Sequence, residues 1–471
     1  MAWLALWWKM VGYTPLVTRT AMLVLAAFSL LGVFRLAERV ANTRVAVAAT
    51  LCTAVYPVFF AQSSLAQVDL TAAGFILWGL SDYIDGRTLA TMLWFSLAAL
   101  AKETAILAPL ALAAWEIVGL RARKGSLRKL WLSRHQEQNI KGSNINSAQR
   151  IASLLIPALP LALWYAYHYA RKGYVFGNPE FFRYNVAATL SPTRFVLALM
   201  MRLWQIGGYL HLWVLTLAML LALWMLPPLR DAASERSRIT IPVQMLFYVV
   251  IFTYVVAMAL IGGAVLARYM LPAVPLIIIV SASTLWRRVK WWPAAIAFVA
   301  LAFVAAWFWN PPYGFSPEDN LAYRDYIVLH ENAEQFLEAR YPMARVLTAW
   351  PASDELTRPW LGYISRPMSI VRIEDFSLDE ILSSADFRSH YDVALIFSTK
   401  YEPGPARWNR WRIWTKLKTK FFGFHRDLPP SVAAQILGGQ IVFSEQRQGQ
   451  WVAVIDLQQS EIQNAEVSME K

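Results

Sequence analysis

Ile241-Pro-Val-Gln-Met-Leu-Phe-Tyr-Val-Val-Ile-Phe-Thr-Tyr-Val-Val-Ala-Met-Ala-Leu-Ile-Gly-Gly-Ala264 runs its whole length without a charged side chain. In a helix, at about 1.5 Å per residue, such a run crosses the roughly 30 Å hydrocarbon core of a bilayer. It is apolar on every side, whereas a helix on a soluble core keeps one polar face. Working outward, similar runs occupy 16–34, 44–62, 69–83, 88–101, 104–120, 151–169, 209–227, 269–285 and 293–309. With 241–264 they make ten candidate spans, of which 69–83 and 88–101 are short. A weaker apolar stretch, 195–208, is interrupted by Arg202 and reads as interfacial or re-entrant. Composition agrees: 57% of the residues are hydrophobic and 16% charged, where a soluble chain carries about 25% charged. The 22 tryptophans suit the membrane–water boundary, where a ring can be wet at one end and dry at the other.

The net charge of +13 does not call for nucleic acid, because much of it sits in short loops between apolar runs. Residues 121–150 hold eight Lys/Arg and one acid, Glu137. The positive-inside bias makes that loop cytoplasmic. Alternation from there puts Arg35, Arg39, Arg44, then Arg230, Arg236, Arg238, and then Arg287, Arg288, Lys290 on the same inner side. Segment 82–87 also falls inside. Asp69, the Lys102–Glu103 turn, the loop 170–194, the Arg268–Tyr269 pair and everything after Trp309 fall outside. Residues 1–15 fall outside as well, so parity expects a further helix ahead of them. Met1 leads into Ala-Trp-Leu-Ala-Leu-Trp-Trp-Lys with no basic region and no small-residue cleavage site of a signal peptide. The single cysteine, Cys52, allows no intrachain disulfide.

At Asn310-Pro-Pro-Tyr-Gly314 the character changes to that of a turn and then an ordinary soluble pattern. Residues 322–340 read as an amphipathic helix, 344–349 and 392–398 as buried strands, and 440–446 with 451–457 as a closing hairpin around Gln-Gly-Gln. The division expected is therefore a helical membrane domain, 1–309, a soluble non-cytoplasmic α/β domain, 310–460, and a disordered tail, 461–471. Within the soluble part, 407–422 sets Trp408, Trp411, Trp414 and Leu417 every third residue among six Arg/Lys. That spacing fits a basic helix lying on anionic lipid or gripping a lipid-linked phosphate; the alternative is a solvated helix covering the α/β core.

Ionisable residues at membrane depth or at helix ends are expensive, so they are the functional candidates. Asp69 begins a span at the outer surface. It reads either as a working carboxylate, holding a metal, acting as a base or orienting a hydroxyl, or as a plain helix cap. Lys102–Glu103 interrupts an apolar hairpin; Lys102 suits a phosphate, and the alternative is an internal ion pair with Glu103. Arg268–Tyr269 pairs a guanidinium fork suited to phosphate with an aromatic ring, or else anchors the interface. Arg183 and Tyr184, in the loop 170–194, could line a sugar or lipid-phosphate cavity. His168 and His211 lie near the outer surface and read as hydrogen-bonded packing residues ahead of metal ligands. There is no zinc-type Cys/His spacing, no nucleotide-binding glycine pattern and no residue put forward as a metal ligand; a divalent cation is the one cofactor left open.

With these residues in place the chain resembles the GT-C superfamily of polyprenyl-phosphate-sugar-dependent glycosyltransferases, near the bacterial protein O-mannosyltransferases and the aminoarabinose transferase of lipid A. The passages that carry the likeness are Leu16 to Val40, Tyr56-Pro57 to Asp69, Ala-Lys-Glu at 101–103 and Arg-Tyr-Met-Leu-Pro-Ala-Val-Pro at 268–275. The resemblance implies a GT-C-like helix bundle in the bacterial inner membrane, with its small C-terminal α/β domain on the periplasmic side. It implies a polyprenyl-phosphate-linked sugar as partner and transfer to a lipid, glycan or protein acceptor with inversion at the anomeric carbon. By position it makes Asp69 the catalytic candidate and Lys102 and Arg268 the cations beside the lipid phosphate; Glu103, Tyr269, Arg183 and Tyr184 complete the substrate-binding set. The family's principal catalytic Asp belongs to a first outer loop ahead of these passages, and no Asp or Glu precedes Glu38. A non-catalytic relative that binds lipid-linked sugar or serves as a partner subunit, and a transporter or flippase, are the competing readings.

Overall fold

In the computed structural model, residues 2–122, 147–175, 191–231, 234–261, 265–401, 411–422 and 424–457 are described. The chain forms two compact units: Met1–Ala5 with Arg19–Ala306, and Leu6–Thr18 with Trp307–Lys471.

The first unit is a polytopic α-helical bundle. Five helices are long and apolar enough to cross a membrane: Pro15–Val40, Glu103–Leu120, Ser147–Lys172, Pro192–Met225 and Ile241–Ile261. Shorter apolar helices cover Thr43–Val55, Thr88–Ala101 and Trp292–Phe308. Helices Val68–Ile84 and Val274–Arg288 complete those that match the expected runs. Two of the runs are broken by proline. The stretch 44–62 divides into Thr43–Val55 and Pro57–Gln62, because Tyr56 before Pro57 is held extended at φ −62°, ψ 125°. The run at 151–169 divides at Pro157 into Ser147–Leu155 and Ala158–Lys172. The stretch 195–208 is a regular helix, Pro192–Gly207, and its Arg202 is fully buried. That burial differs from the interfacial reading, and its cause lies in the partners described below.

Helices Val68–Ile84 and Thr88–Ala101 form an antiparallel hairpin. Its turn needs Gly86, whose φ of +75° is a conformation a side chain would strain. The arms approach closely where Gly79 faces Phe95: a Cβ on Gly79 would sit 2.8 Å from the ring. The turn end is tied down by charge. Asp82 accepts from Arg35 at 2.7 Å and from Trp94 Nε1 at 2.9 Å, and Arg87 lies 3.5 Å away. Asp85 pairs with Arg39 and has Arg87 at 4.0 Å.

The second unit carries a five-stranded sheet of order β4-β3-β5-β7-β6, formed by β3 Arg345–Ala349, β4 Ser369–Ile373, β5 Val393–Phe397, β6 Gln440–Arg447 and β7 Gln450–Asp456. The strands β1 Arg230–Asp231 and β2 Ser234–Glu235 make a small hairpin in the first unit. β3 pairs in parallel with β4 and β5, and β7 closes the sheet antiparallel to β5 and β6. Every residue of β5 is buried, as expected of a central strand with both faces covered. Gln448 and Gly449, both at positive φ, make the tight β6–β7 turn that the sequence pattern places there. Helix Ala322–Arg340 packs on β6 and β7 through Leu329, Ala333 and Leu337, buried at four-residue spacing. β4 is an addition to the sequence reading. Trp411, just ahead of the helix Arg412–Phe422, and Ile413 on it are exposed, whereas Trp408 lies outside the described residues, as does the tail 461–471.

Candidate functional site

Antiparallel arms of 17 and 14 residues bring the start of one helix beside the end of the other. The hairpin therefore sets Asp69 against Lys102. Asp69 lies in the first turn of its helix, but the cap position belongs to Gln67, and no side chain caps the backbone there. The Asp69 carboxylate is instead 93% buried and pairs with Lys102 Nζ; Arg268 Nε stands 3.6 Å from its other oxygen. The carboxylate is therefore held by cations and does not serve as the helix cap.

Lys102 is the hinge between helix Thr88–Ala101 and a short 3₁₀ turn, Glu103–Ile106, and is held extended at φ −151°, ψ 127°. That conformation turns its ammonium inward. It lies 3.8 Å from the centre of the Tyr269 ring, within the range of a cation–π contact. The ion pair of Lys102 is with Asp69, whereas Glu103 is exposed. Arg268 and Tyr269 stand on the 3₁₀ turn Ala267–Met270, ahead of helix Val274–Arg288.

Sequence reasoning missed the support beneath this cluster. Arg202 donates to the carbonyl of Leu266 at 2.7 Å and to Gln205 Oε1 at 2.8 Å, and Gln205 Nε2 donates to the carbonyl of Val265 at 2.8 Å. The two side chains clamp the backbone that leads directly into Arg268–Tyr269. Arg202 also lies 5.6 Å from the centre of the Tyr269 ring. A buried guanidinium persists only when hydrogen bonds and nearby π density replace its water, and these contacts supply both. The signal was in the sequence as a lone arginine in an apolar stretch, but nothing local distinguishes a buried one from one at the interface.

Four of the expected residues thus converge: Asp69, Lys102, Arg268 and Tyr269. Arg183 and Tyr184 lie outside the described residues. His211 Nδ1 donates to the carbonyl of Ala302 at 2.7 Å, and His168 Nδ1 to that of Tyr174 at 3.0 Å. Both are hydrogen-bonded packing histidines. The cluster sets two cations beside one buried carboxylate and an aromatic face.

No protein-family model matches the sequence, and no curated relative is found for it. Solved structures do match. ArnT from Cupriavidus metallidurans bound to undecaprenyl phosphate aligns over 96% of this chain and 86% of that one, with a TM-score of 0.52 and 12% identity. The same protein in its apo state aligns over the same shares, with a TM-score of 0.50 and 13% identity. The chain has the fold of ArnT, a helical membrane bundle with a small sheet domain, and the GT-C resemblance holds at the level of the fold.

Proposed function

We propose that this protein is a membrane glycosyltransferase that moves a sugar from a polyprenyl-phosphate donor to a lipid, glycan or protein acceptor at the outer face of the inner membrane. The observation that carries the reading is the convergence of Lys102 and Arg268 on the Asp69 carboxylate. It occurs in a fold shared with a protein solved with undecaprenyl phosphate bound. In the reaction the acceptor hydroxyl attacks the anomeric carbon, the carbon–oxygen bond to the lipid phosphate breaks, and the lipid phosphate leaves with both bonding electrons. Lys102 and Arg268 stabilise that departing charge; preorganised cations do this without reorganising at the moment of reaction. Arg268 offers a planar fork matched to phosphate oxygens, and Lys102 a point charge.

The same geometry shifts the part proposed for Asp69. One of its oxygens is committed to Lys102 and the other lies 3.6 Å from Arg268 Nε, so the carboxylate is held between the two cations. Asp69 accordingly acts as a positioning residue that aims the two cations, and the hydroxyl proton passes to water. That commitment also keeps a second reading in play, a relative that binds the lipid-linked sugar without turning it over. The test is transfer by the purified full chain in nanodiscs containing a polyprenyl-phosphate sugar, run beside binding of undecaprenyl phosphate. Turnover that falls with Lys102→Ala supports the transferase. Saturable binding without turnover supports the second reading, and the absence of both sinks the lipid-phosphate assignment.

A further inference from the structure

Away from the helical bundle, three ligand-type side chains meet inside the second unit. His330 and Glu334 stand four residues apart on helix Ala322–Arg340, and so on one face of it. Glu355 comes from the short helix Ala352–Glu355 that follows β3. The relative exposures of His330, Glu334 and Glu355 are 1%, 0% and 6%. Their donor atoms all lie within 4.8 Å of one another. His330 Nδ1 is 2.7 Å from Glu355 Oε2 and 3.8 Å from Glu334 Oε1.

The second observation concerns Glu334. Both of its carboxylate oxygens are buried without a donor from the surrounding fold, the group within reach being the Glu355 carboxyl. A buried carboxylate without donors is among the costliest groups a fold can hold, and it persists when a cation or a proton compensates it. The walls offer aromatic rings: Tyr326 lies 4.2 Å from the His330 ring centre and Phe397 lies 4.4 Å from it.

We infer that His330, Glu334 and Glu355 form a site for one divalent transition-metal ion of zinc type. Two carboxylates balance the charge of such an ion, and the imidazole favours it over calcium or magnesium, which take oxygen ligands. A tetrahedral zinc with bonds of roughly 2.1 Å sets its donor atoms roughly 3.4 Å apart; the observed separations of 2.7 and 3.8 Å bracket that spacing. The ion pins the helix to the turn after β3. Binding releases whatever proton the two carboxylates share, with no other change of bonding. Because the site is closed, its consequence is stability of the sheet domain.

The test uses the detergent-purified full chain, loaded with Zn(II) or Co(II), exchanged into metal-free buffer and assayed for metal by mass spectrometry. One ion per chain is expected, with a melting temperature that rises with free zinc. Co(II) should give the visible absorption of a tetrahedral nitrogen–oxygen site, displaced by zinc. Glu334→Gln with Glu355→Gln keeps the shape and removes the charge, and should abolish the stoichiometric ion and the thermal shift. Should that variant fail to fold, the wild-type cobalt spectrum and zinc-dependent melting decide alone. No retained metal, no cobalt absorption, or equal retention by a folded variant overturns the proposal, leaving a carboxyl pair that shares a proton.

Discussion

The two ends of helix Val68–Ile84 are built from the same ingredients and do different things. At its C-terminal end, Asp82 and Asp85 meet Arg35, Arg39 and Arg87, and the Trp94 indole donates to Asp82 as well. Two acids share three arginines there; Arg87 is 61% exposed and Arg35 31%. Water dilutes the surplus charge and the cluster is a staple. At the N-terminal end a single buried acid faces Lys102 and Arg268, with side chains only 14% and 17% exposed, and a tyrosine ring closes the arrangement. There the two cations are sheltered from screening, and the proposed lipid-phosphate site rests on that shelter. The lesson is that ion pairs do not mark a site by their presence. Shelter from water is what separates the proposed site from the staple.

Sidedness gives the all-or-none test of that contrast. Cys52, the native thiol, is buried, so an impermeant maleimide reports introduced cysteines. Glu103→Cys should label in intact cells and Arg87→Cys only after permeabilisation; the reverse pattern would break the assignment of the two ends. Next in size, Lys102→Ala with Arg268→Ala should lower transfer per folded molecule by roughly 10²–10³-fold, the range for losing a preorganised charge-stabilising group, beyond the stability lost by leaving Asp69 buried without a counter-charge.

Asp82→Asn should do the opposite. Breaking a buried pair costs about 3–5 kcal/mol, and the partial exposure of Arg35 cuts this to about 2 kcal/mol. Thermal melting would show the loss, while transfer per folded molecule stays constant. Asp69→Asn should raise KM for the polyprenyl donor about tenfold, roughly 1.4 kcal/mol, with kcat moving less. A collapse of kcat at unchanged KM would make Asp69 the base after all. Smallest, Arg202→Lys keeps the charge but loses the fork to Leu266 and Gln205. About 1 kcal/mol of stability should go with those hydrogen bonds, read as an earlier denaturant midpoint.

The long uncharged runs and the sheet domain were legible because hydropathy and alternation are local properties. Leu329, Ala333 and Leu337 announce their helix, and Val393 to Phe397 their buried strand. β4 was not legible: Ser-Ile-Val-Arg-Ile is a half-buried edge whose pattern resembles a loop. Asp69, Lys102, Arg268 and Tyr269 could be named individually, since each breaks an apolar context. Their mutual contacts could not, because the partners of Asp69 are 33 and 199 residues away. Glu355 similarly gains its meaning only from His330, 25 residues earlier in the chain.

The close approach of Gly79 to Phe95 gives the hairpin leverage. At about 1.5 Å per residue, the contact lies roughly 9 Å from the turn at Asp85, and Asp69 lies roughly 24 Å from it. With the turn tied down by arginines, the arms behave as tongs gripped near their joint. Any wedge at position 79 is magnified two- to threefold, on the order of that ratio of lengths, at the tips, where the carboxylate meets the ammonium. The spacing of the charges at the tips is thus set by a missing methyl group partway down the hairpin.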